Sequence, residues 1–448
     1  MLVMTGIYLN GKSELKSVVL NSGWLITDKI ARLGLGLFIG VWVARYLGPE
    51  QYGVLASAIA FLAIFQAFAA LGLDNVVVRQ IAQNPESANT VLGTALVLRL
   101  VSSTLSLLLA TLVGLVIFHD DLTALSVLLL IASGIIFQSA DVVDLWFQSQ
   151  SKSRLTVIAK GISYVCAAAI KVGLIVSSAP LWAFAAAQSI ELAASATALH
   201  FSYQHFKVKQ LWRWHASTAE MLIRQSFPFL VSGLSIVVYM KSSQLIIGQL
   251  LDKRALGLYS TAQVLSELWY FLPMTIATSV APAIARRKLT SEFAYNNAMQ
   301  QTFGFMWILS IVVSTLICLN SSLIIALLYG KAYEGAATVL AVHTFTFIPV
   351  SIGVIQSLWL VNENRGRITI YQALVGAASS LSLNYLLIPK FGILGGAVAI
   401  LASQIIQAFA VNLVFAPKLF ALQFRSLLFA VTTIAKYFSA AFAMAFRK

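Results

Sequence analysis

Residues Trp24 to Val54 read WLITDKIARLGLGLFIGVWVARYLGPEQYGV. The first two thirds are long and apolar enough to cross a bilayer, which takes roughly 20 helical residues at about 1.5 Å each. Yet Asp28, Lys29 and Arg32 sit in the middle, three and four residues apart, so one side of this helix is charged. A charge in hydrocarbon costs at least ~2.5 kcal/mol, so that side must face water or a partner and not lipid. At Gly48-Pro49 the proline lacks the amide hydrogen that a helix needs, and the chain turns into a second apolar run.

In the whole chain 59% of the residues are hydrophobic and only 10% charged, and the mean hydropathy is +0.86, far from any soluble domain. Repeated runs of spanning length make the fold all-α and polytopic, since a barrel would alternate in ten-residue strands. Twelve transmembrane helices are expected, over 20–44, 54–73, 91–118, 122–147, 155–177, 181–204, 227–250, 256–283, 299–328, 335–361, 366–388 and 393–416. The tail 417–448 is expected as an interfacial helix or a thirteenth span, because its apolar run carries Lys436. No cleavable signal peptide is expected at the start. Cys166 and Cys318 lie inside apolar runs and read as packing residues, not as a disulfide or metal framework.

The net charge of +14 would suit nucleic acid, but Lys and Arg concentrate in alternate loops. The loops on the amino-terminal side hold fourteen, whereas the other side has only Arg45, Lys253, Arg254, Lys331 and Lys390. The positive-inside rule accounts for this without any nucleic acid and puts the amino terminus in the cytoplasm. The connection 205–226 is basic and amphipathic, with Trp212 and Trp214 among its charges, and is expected on the inner membrane surface.

The chain also repeats itself. Leu145-Trp146 and Arg154-Leu-Thr156 recur as Leu358-Trp359 and Arg367-Ile-Thr369 at a shift of 213 residues, and Leu181–Ala185 falls opposite Leu394–Val398. The turn Leu47–Ala56 has a weaker counterpart at Leu251–Ser260, shifted by 204, with Gly53 opposite Gly257. Six spans per copy leave both copies starting on the same side, as parallel repeats do. Two six-helix lobes are expected, 1–204 and 227–416, joined by 205–226, with substrate held between lobes that rock.

Polar residues inside the spans follow helical spacing. Span four carries Gln138, Asp141, Asp144 and Gln148; span five carries Lys160, Tyr164 and Lys171; span six carries Gln188 and Glu191. Arg99 lies in span three, Lys241 in span seven, and Gln263, Glu267 and Tyr270 in span eight. Any one of these could simply pair with a neighbour to fix packing, but eleven ionisable groups at membrane depth exceed what packing requires. A cavity offering Lys29, Arg32, Arg99, Lys160, Lys171 and Lys241 suits an anion such as a diphosphate, Arg by forked hydrogen bonds and Lys as a point charge. Asp28, Asp141, Asp144, Glu191 and Glu267 are candidate ion-coupling carboxylates, since a carboxylate in a dry setting can exchange protons. No residues show metal, triad or cofactor spacing, so no enzyme is expected.

Several motifs carry a resemblance: Ala44-Arg-Tyr-Leu-Gly-Pro-Glu-Gln-Tyr-Gly53, Leu71-Gly-Leu-Asp74 with Arg79, Leu145-Trp146 before a basic loop, and Ile388-Pro-Lys-Phe-Gly392 with Gly395-Gly396-Ala397. The chain resembles the polysaccharide biosynthesis transporters, the O-antigen and exopolysaccharide flippases of the multidrug/oligosaccharidyl-lipid/polysaccharide exporter superfamily, over residues 15 to 416. That resemblance implies a two-lobe, multidrug-exporter-like fold that moves an undecaprenyl-diphosphate-linked oligosaccharide between the leaflets of a bacterial inner membrane. It puts most weight on Lys29, Arg32, Arg99, Lys171 and Lys241. A glycan polymerase and a chain-length regulator are the protein partners it implies, and a monomer is expected. The second lobe departs from an evenly shared site, being poor in cations. Rival readings are a cation-coupled drug exporter of the same fold, a membrane glycosyltransferase or polymerase, for which the loops are too short, and a non-transporting scaffold for glycan assembly.

Overall fold

The computed structural model describes the backbone of residues 12–205 and 212–428, with side chains from Ala31 onward. The linker residues 206–211 and the tail from 429, including Lys436, lie outside the described residues. Sixteen α-helices follow in order: α1 (Lys12–Ala70), α2 (Asp74–Gln83), α3 (Ala88–Ile117), α4 (Leu122–Ala132), α5 (Asp141–Ser149), α6 (Ser153–Val176), α7 (Leu181–His205), α8 (Ala216–Leu250), α9 (Lys253–Glu267), α10 (Phe271–Thr290), α11 (Glu292–Leu319), α12 (Ser321–Leu328), α13 (Ala336–His343), α14 (Phe347–Asn362), α15 (Arg367–Ile405) and α16 (Val411–Phe415). Among the described residues there is no strand.

Helix α1 has 59 residues, so straight it would run about 88 Å, nearly three hydrocarbon thicknesses. It is instead two legs that meet at Gly48, whose φ of 70° and ψ of 169° are readily reached only without a Cβ. Gly392, at φ 59°, divides α15 in the same way, three residues after Pro389. Among the described residues, nine stretches are long and apolar enough to cross a membrane. Two of them, Ala31–Gln83 and Arg367–Phe415, contain these divided helices, and α7 adds 25 helical residues, a set compatible with the expected twelve. The protein is a multi-pass, all-helical membrane protein.

Two of the boundaries that differ from the sequence expectation have a visible cause. The ninth span does not continue to 328: α11 ends at Leu319, where the Asn320 amide donates to the Leu316 carbonyl and competes with the helix, and α12 starts afresh. The seventh span begins at Ala216, eleven residues early. Just before it, residues 212–215 are fastened along α3, with Arg213 N donating to Asn89 O and His215 N to Thr94 Oγ1, both at 3.2 Å.

The chain forms two compact units, Tyr8–Ser260 with Leu328–Ala332, and Thr261–Leu327 with the residues from Tyr333. In the first, α1 packs on α3, α4, α6 and α8, around a core that includes Leu47, Leu62, Val127, Ile135 and Phe184. A separate apolar cluster there joins Leu73, Val77, Trp146, Phe147 and Leu222. In the second unit, α10, α11 and α14 enclose Tyr295, Phe303, Met306, Ile355 and Trp359. Helix α3 shows how such helices pack. Its buried side carries Ser102, Ser103, Ser106, Ala110 and Gly114, while Val101, Leu105, Leu108, Leu112 and Val116 stay exposed. Small residues let backbones approach, and large aliphatic ones suit lipid.

The duplication is visible in backbone detail. Ser151 and Asn364, 213 residues apart, take left-handed φ values of 54° and 55°. Around them the same hydrogen bonds recur, with Lys152 N donating to Phe147 O and Arg365 N to Leu360 O, each at 2.8 Å. The shared Trp146 and Trp359 are both buried. In each copy a tight 3₁₀ stretch, Ser133–Ala140 or Thr344–Thr346, interrupts the same span.

Candidate functional site

One face of α6 carries Lys160, Tyr164, Ala167 and Lys171, spaced four, three and four residues apart. Helices α1, α5 and α7 all pack against α6, and each brings polar groups to that face. Near the amino end of α6, Lys160 Nζ lies 2.6 Å from Asp141 Oδ1 and 2.9 Å from Asp144 Oδ2. The tight turn at Ser151 folds α6 back beside α5 and so permits this triad. Gln148 donates to Asp144 at 3.1 Å and fixes that carboxylate.

One turn along, the Arg32 guanidinium stands over the Tyr164 ring at 5.4 Å, and the Tyr164 hydroxyl donates to the Arg32 carbonyl at 3.2 Å. Farther along, Lys171 Nζ meets Glu191 Oε2 at 2.9 Å and Gln188 Oε1 at 3.4 Å. Lys160 keeps 21% and Lys171 18% of side-chain exposure, so both are reachable without being solvated. In such a setting an ion pair is held tightly, and a competing anion must offer equivalent oxygens to replace the carboxylate.

Five of the residues that the sequence groups as cations and as coupling carboxylates therefore form one set of pairs. Asp141, Asp144, Lys160, Lys171, Glu191 and Arg32 converge on α6. Arg99 does not join them: it is 4% exposed and pairs with Asp74 at the start of α2, leaving its Nε without a partner among the described residues. Lys241 on α8 is half-buried, with no carboxylate in ion-pair range among the described residues. Glu267 lies in the other compact unit, where Gln263 donates to it at 2.6 Å. Asp28 and Lys29 fall within α1, but their side chains lie outside the described residues.

Sequence reasoning passed over several buried polar groups. His343 Nδ1 meets Ser266 Oγ at 2.6 Å, and Thr346 Oγ1 lies 2.7 Å from the hydroxyl of Tyr270, which the sequence already sets on a polar stripe with Glu267. Asn412 accepts from Gln372 and donates to Gln356, each at 2.7 Å, and Gln423 donates to Gln356 at 2.9 Å. A lone amide in an apolar run carries no spacing signal, so only three-dimensional contact reveals this network. Asp74 stands in the quoted Leu71-Gly-Leu-Asp74 motif, but no helix is expected to start there, so the sequence does not join it to Arg99.

Comparison with known proteins agrees with this architecture. A Shigella flexneri protein that bears the name of an O-antigen transporter is 24% identical over 418 residues, covering 86% of this chain and 94% of that one. A multidrug resistance MATE family transporter of the MOP superfamily, in an inward-facing conformation, superposes with a TM-score of 0.72 at 13% identity, over 88% of this chain and 95% of its own. The lipid II flippase MurJ, in an inward closed conformation, gives 0.70 at 17% identity, over 93% of each chain. At those identities the two structures establish the fold. The sequence pattern of polysaccharide biosynthesis proteins matches residues 18–288, more than half of the chain, and the protein belongs to that family.

Proposed function

We propose that this protein is a flippase that carries an undecaprenyl-diphosphate-linked oligosaccharide from the inner to the outer leaflet of a bacterial cytoplasmic membrane, by alternating access and without bond-making chemistry. The observation that carries the reading is the α6 face, where Lys160 and Lys171 are held by Asp141, Asp144 and Glu191 at membrane depth in a member of a polysaccharide biosynthesis family. In this reading the diphosphate replaces the carboxylates on Lys160 and Lys171, with Arg32 beside them, while the prenyl chain stays in lipid. Lys29 and Lys241 supply the remaining positive potential. The displaced carboxylates then accept a proton or a cation, which would couple substrate movement to an ion gradient.

The alternating charge of the loops supports a cytoplasmic amino terminus. The protein works as a monomer, with 1–204 and 227–416 as its two lobes, and supplies glycan to a polymerase and a chain-length regulator. Two carboxylates against one lysine in the triad favour a second reading, a cation-coupled drug exporter of the same fold. Proteoliposomes separate the two. The flippase reading expects movement of a lipid-linked diphosphate sugar that is lost in Lys160→Met and Lys171→Met. If the lipid-linked sugar does not move but a small organic cation does, the exporter takes its place.

A further inference from the structure

Two turns that the sequence pairs at a shift of 204 residues touch each other in space. A methyl group on Gly53 would overlap the carbonyl oxygen of Lys253, and one on Gly257 would overlap that of Pro49. Lys253 corresponds to Pro49, and Gly257 to Gly53, at that same shift. The contact is thus reciprocal, each turn offering a carbonyl at one position and a bare glycine four residues later. The added methyl on Gly53 would also lie 3.0 Å from Gly257 N, and that on Gly257 3.2 Å from Gly53 N. Such self-complementarity is what a two-fold axis between copies produces, and backbones meet this closely only where side chains are absent.

A second link flanks the first. Asp121 Oδ2 binds Lys253 Nζ at 2.5 Å, while its Oδ1 accepts from Ala124 N at 3.0 Å and caps α4. Beneath the glycines, Leu256 and Ser57 flank Gly248 of α8, where a Cβ would stand 3.2 Å and 3.6 Å from their side chains. Backbone held against backbone by Cα–H···O contacts is weak per contact, and Lys253 is 46% exposed, so its ion pair adds little.

We propose that the Gly53–Gly257 contact is the seam along which the two sequence copies seal the face opposite the basic loops, and that it parts once in each transport cycle. The inference rests on the flippase reading for the existence of a cycle and for that face being the outer one. A seam of bare backbone fits this duty, because it shuts without a gap. The ion pair Asp121–Lys253 closes beside it.

Thiol accessibility in whole cells tests this. In a chain with Cys166→Ala and Cys318→Ala, Ser57→Cys sits one turn below Gly53, and a membrane-impermeant maleimide is added outside. The parent reacts slowly. Gly53→Ala or Gly257→Ala, whose methyl meets immovable backbone, raises the rate about tenfold or more by shifting the population toward the open state. Equal labelling in parent and alanine variants overturns the proposal.

Should those variants fail to accumulate, Asp121→Cys with Lys253→Cys decides the matter. Bridging the two thiols with a short reducible thiosulfonate lowers transport of the lipid-linked sugar about tenfold or more, and reduction restores it. Undiminished transport in the bridged protein refutes the seam. If labelling responds to the alanines while no lipid-linked sugar moves, the flippase reading fails and the seam stands.

Discussion

Removing Lys171 leaves Glu191 without its ion-pair partner, at a depth where water cannot replace the ammonium. Breaking a fully buried ion pair costs about 3–5 kcal/mol. Here the partners keep 18% and 17% of their exposure, so about 2–3 kcal/mol is expected for Lys171→Met, and a similar penalty for Glu191→Met. The double variant removes both charges and puts two apolar side chains of similar length in their place, which should return most of that stability. Transport follows a different pattern. If Lys171 receives the diphosphate, both Lys171→Met and the double variant lose it, although the double variant is stable. Thermal unfolding in detergent, paired with flipping in proteoliposomes, measures the two quantities on one preparation. A double variant that transports at the parental rate would reduce the pair to a packing device. A double variant no more stable than either single one would refute the desolvation argument.

Three further expectations follow from the geometry. Arg99 is 4% exposed and Asp74 59%, so Asp74→Asn, which strands a buried guanidinium, should cost about 2–3 kcal/mol, and Arg99→Met, which leaves a hydrated carboxylate, nearer 1 kcal/mol; equal costs in denaturation would contradict this. Burial pushes the Asp121 carboxyl up, but the Lys253 ammonium and the amides of Ala124 and Thr123 outweigh it and hold it below the usual carboxylate range. Its contribution to stability is therefore present above about pH 4 and lost as pH falls through the lowered value; Asp121→Asn should flatten that acid limb of the melting profile, and an unchanged slope would count against it. Ser151 and Asn364 share a left-handed φ, which asparagine tolerates better than serine, so Ser151→Gly should gain about 1 kcal/mol and Asn364→Gly less, read as shifts in unfolding midpoint.

Much of the fold was legible because lipid imposes strict rules on sequence. Apolar length, the Gly48-Pro49 break and the matched Leu-Trp segments reported spans, a turn and a duplication, and Ser151 and Asn364 share their φ at the duplication's shift. Helical spacing also grouped Asp141, Asp144, Lys160, Lys171 and Glu191, which pair with one another across α5, α6 and α7. What spacing could not supply was pairing between helices. Arg99 looked like one more cavity cation because Asp74, 25 residues earlier, lies outside its helix, and only the packing of α2 on α3 joins them. Gln356, Gln372, Asn412 and Gln423 were invisible as a set for the same reason. The end of α11 at Leu319 was missed since one asparagine in an apolar run hardly alters hydropathy, whereas its side chain competes directly for the Leu316 carbonyl.

The most direct measurement is leaflet-resolved detection of the labelled lipid-linked oligosaccharide in cells with and without this protein, using a probe that reads only the outer face. A flippase predicts that removal makes the lipid-linked unit accumulate inside and disappear outside, with recovery by the parental chain but not by Lys160→Met or Lys171→Met. Unchanged pools on both faces would contradict the account.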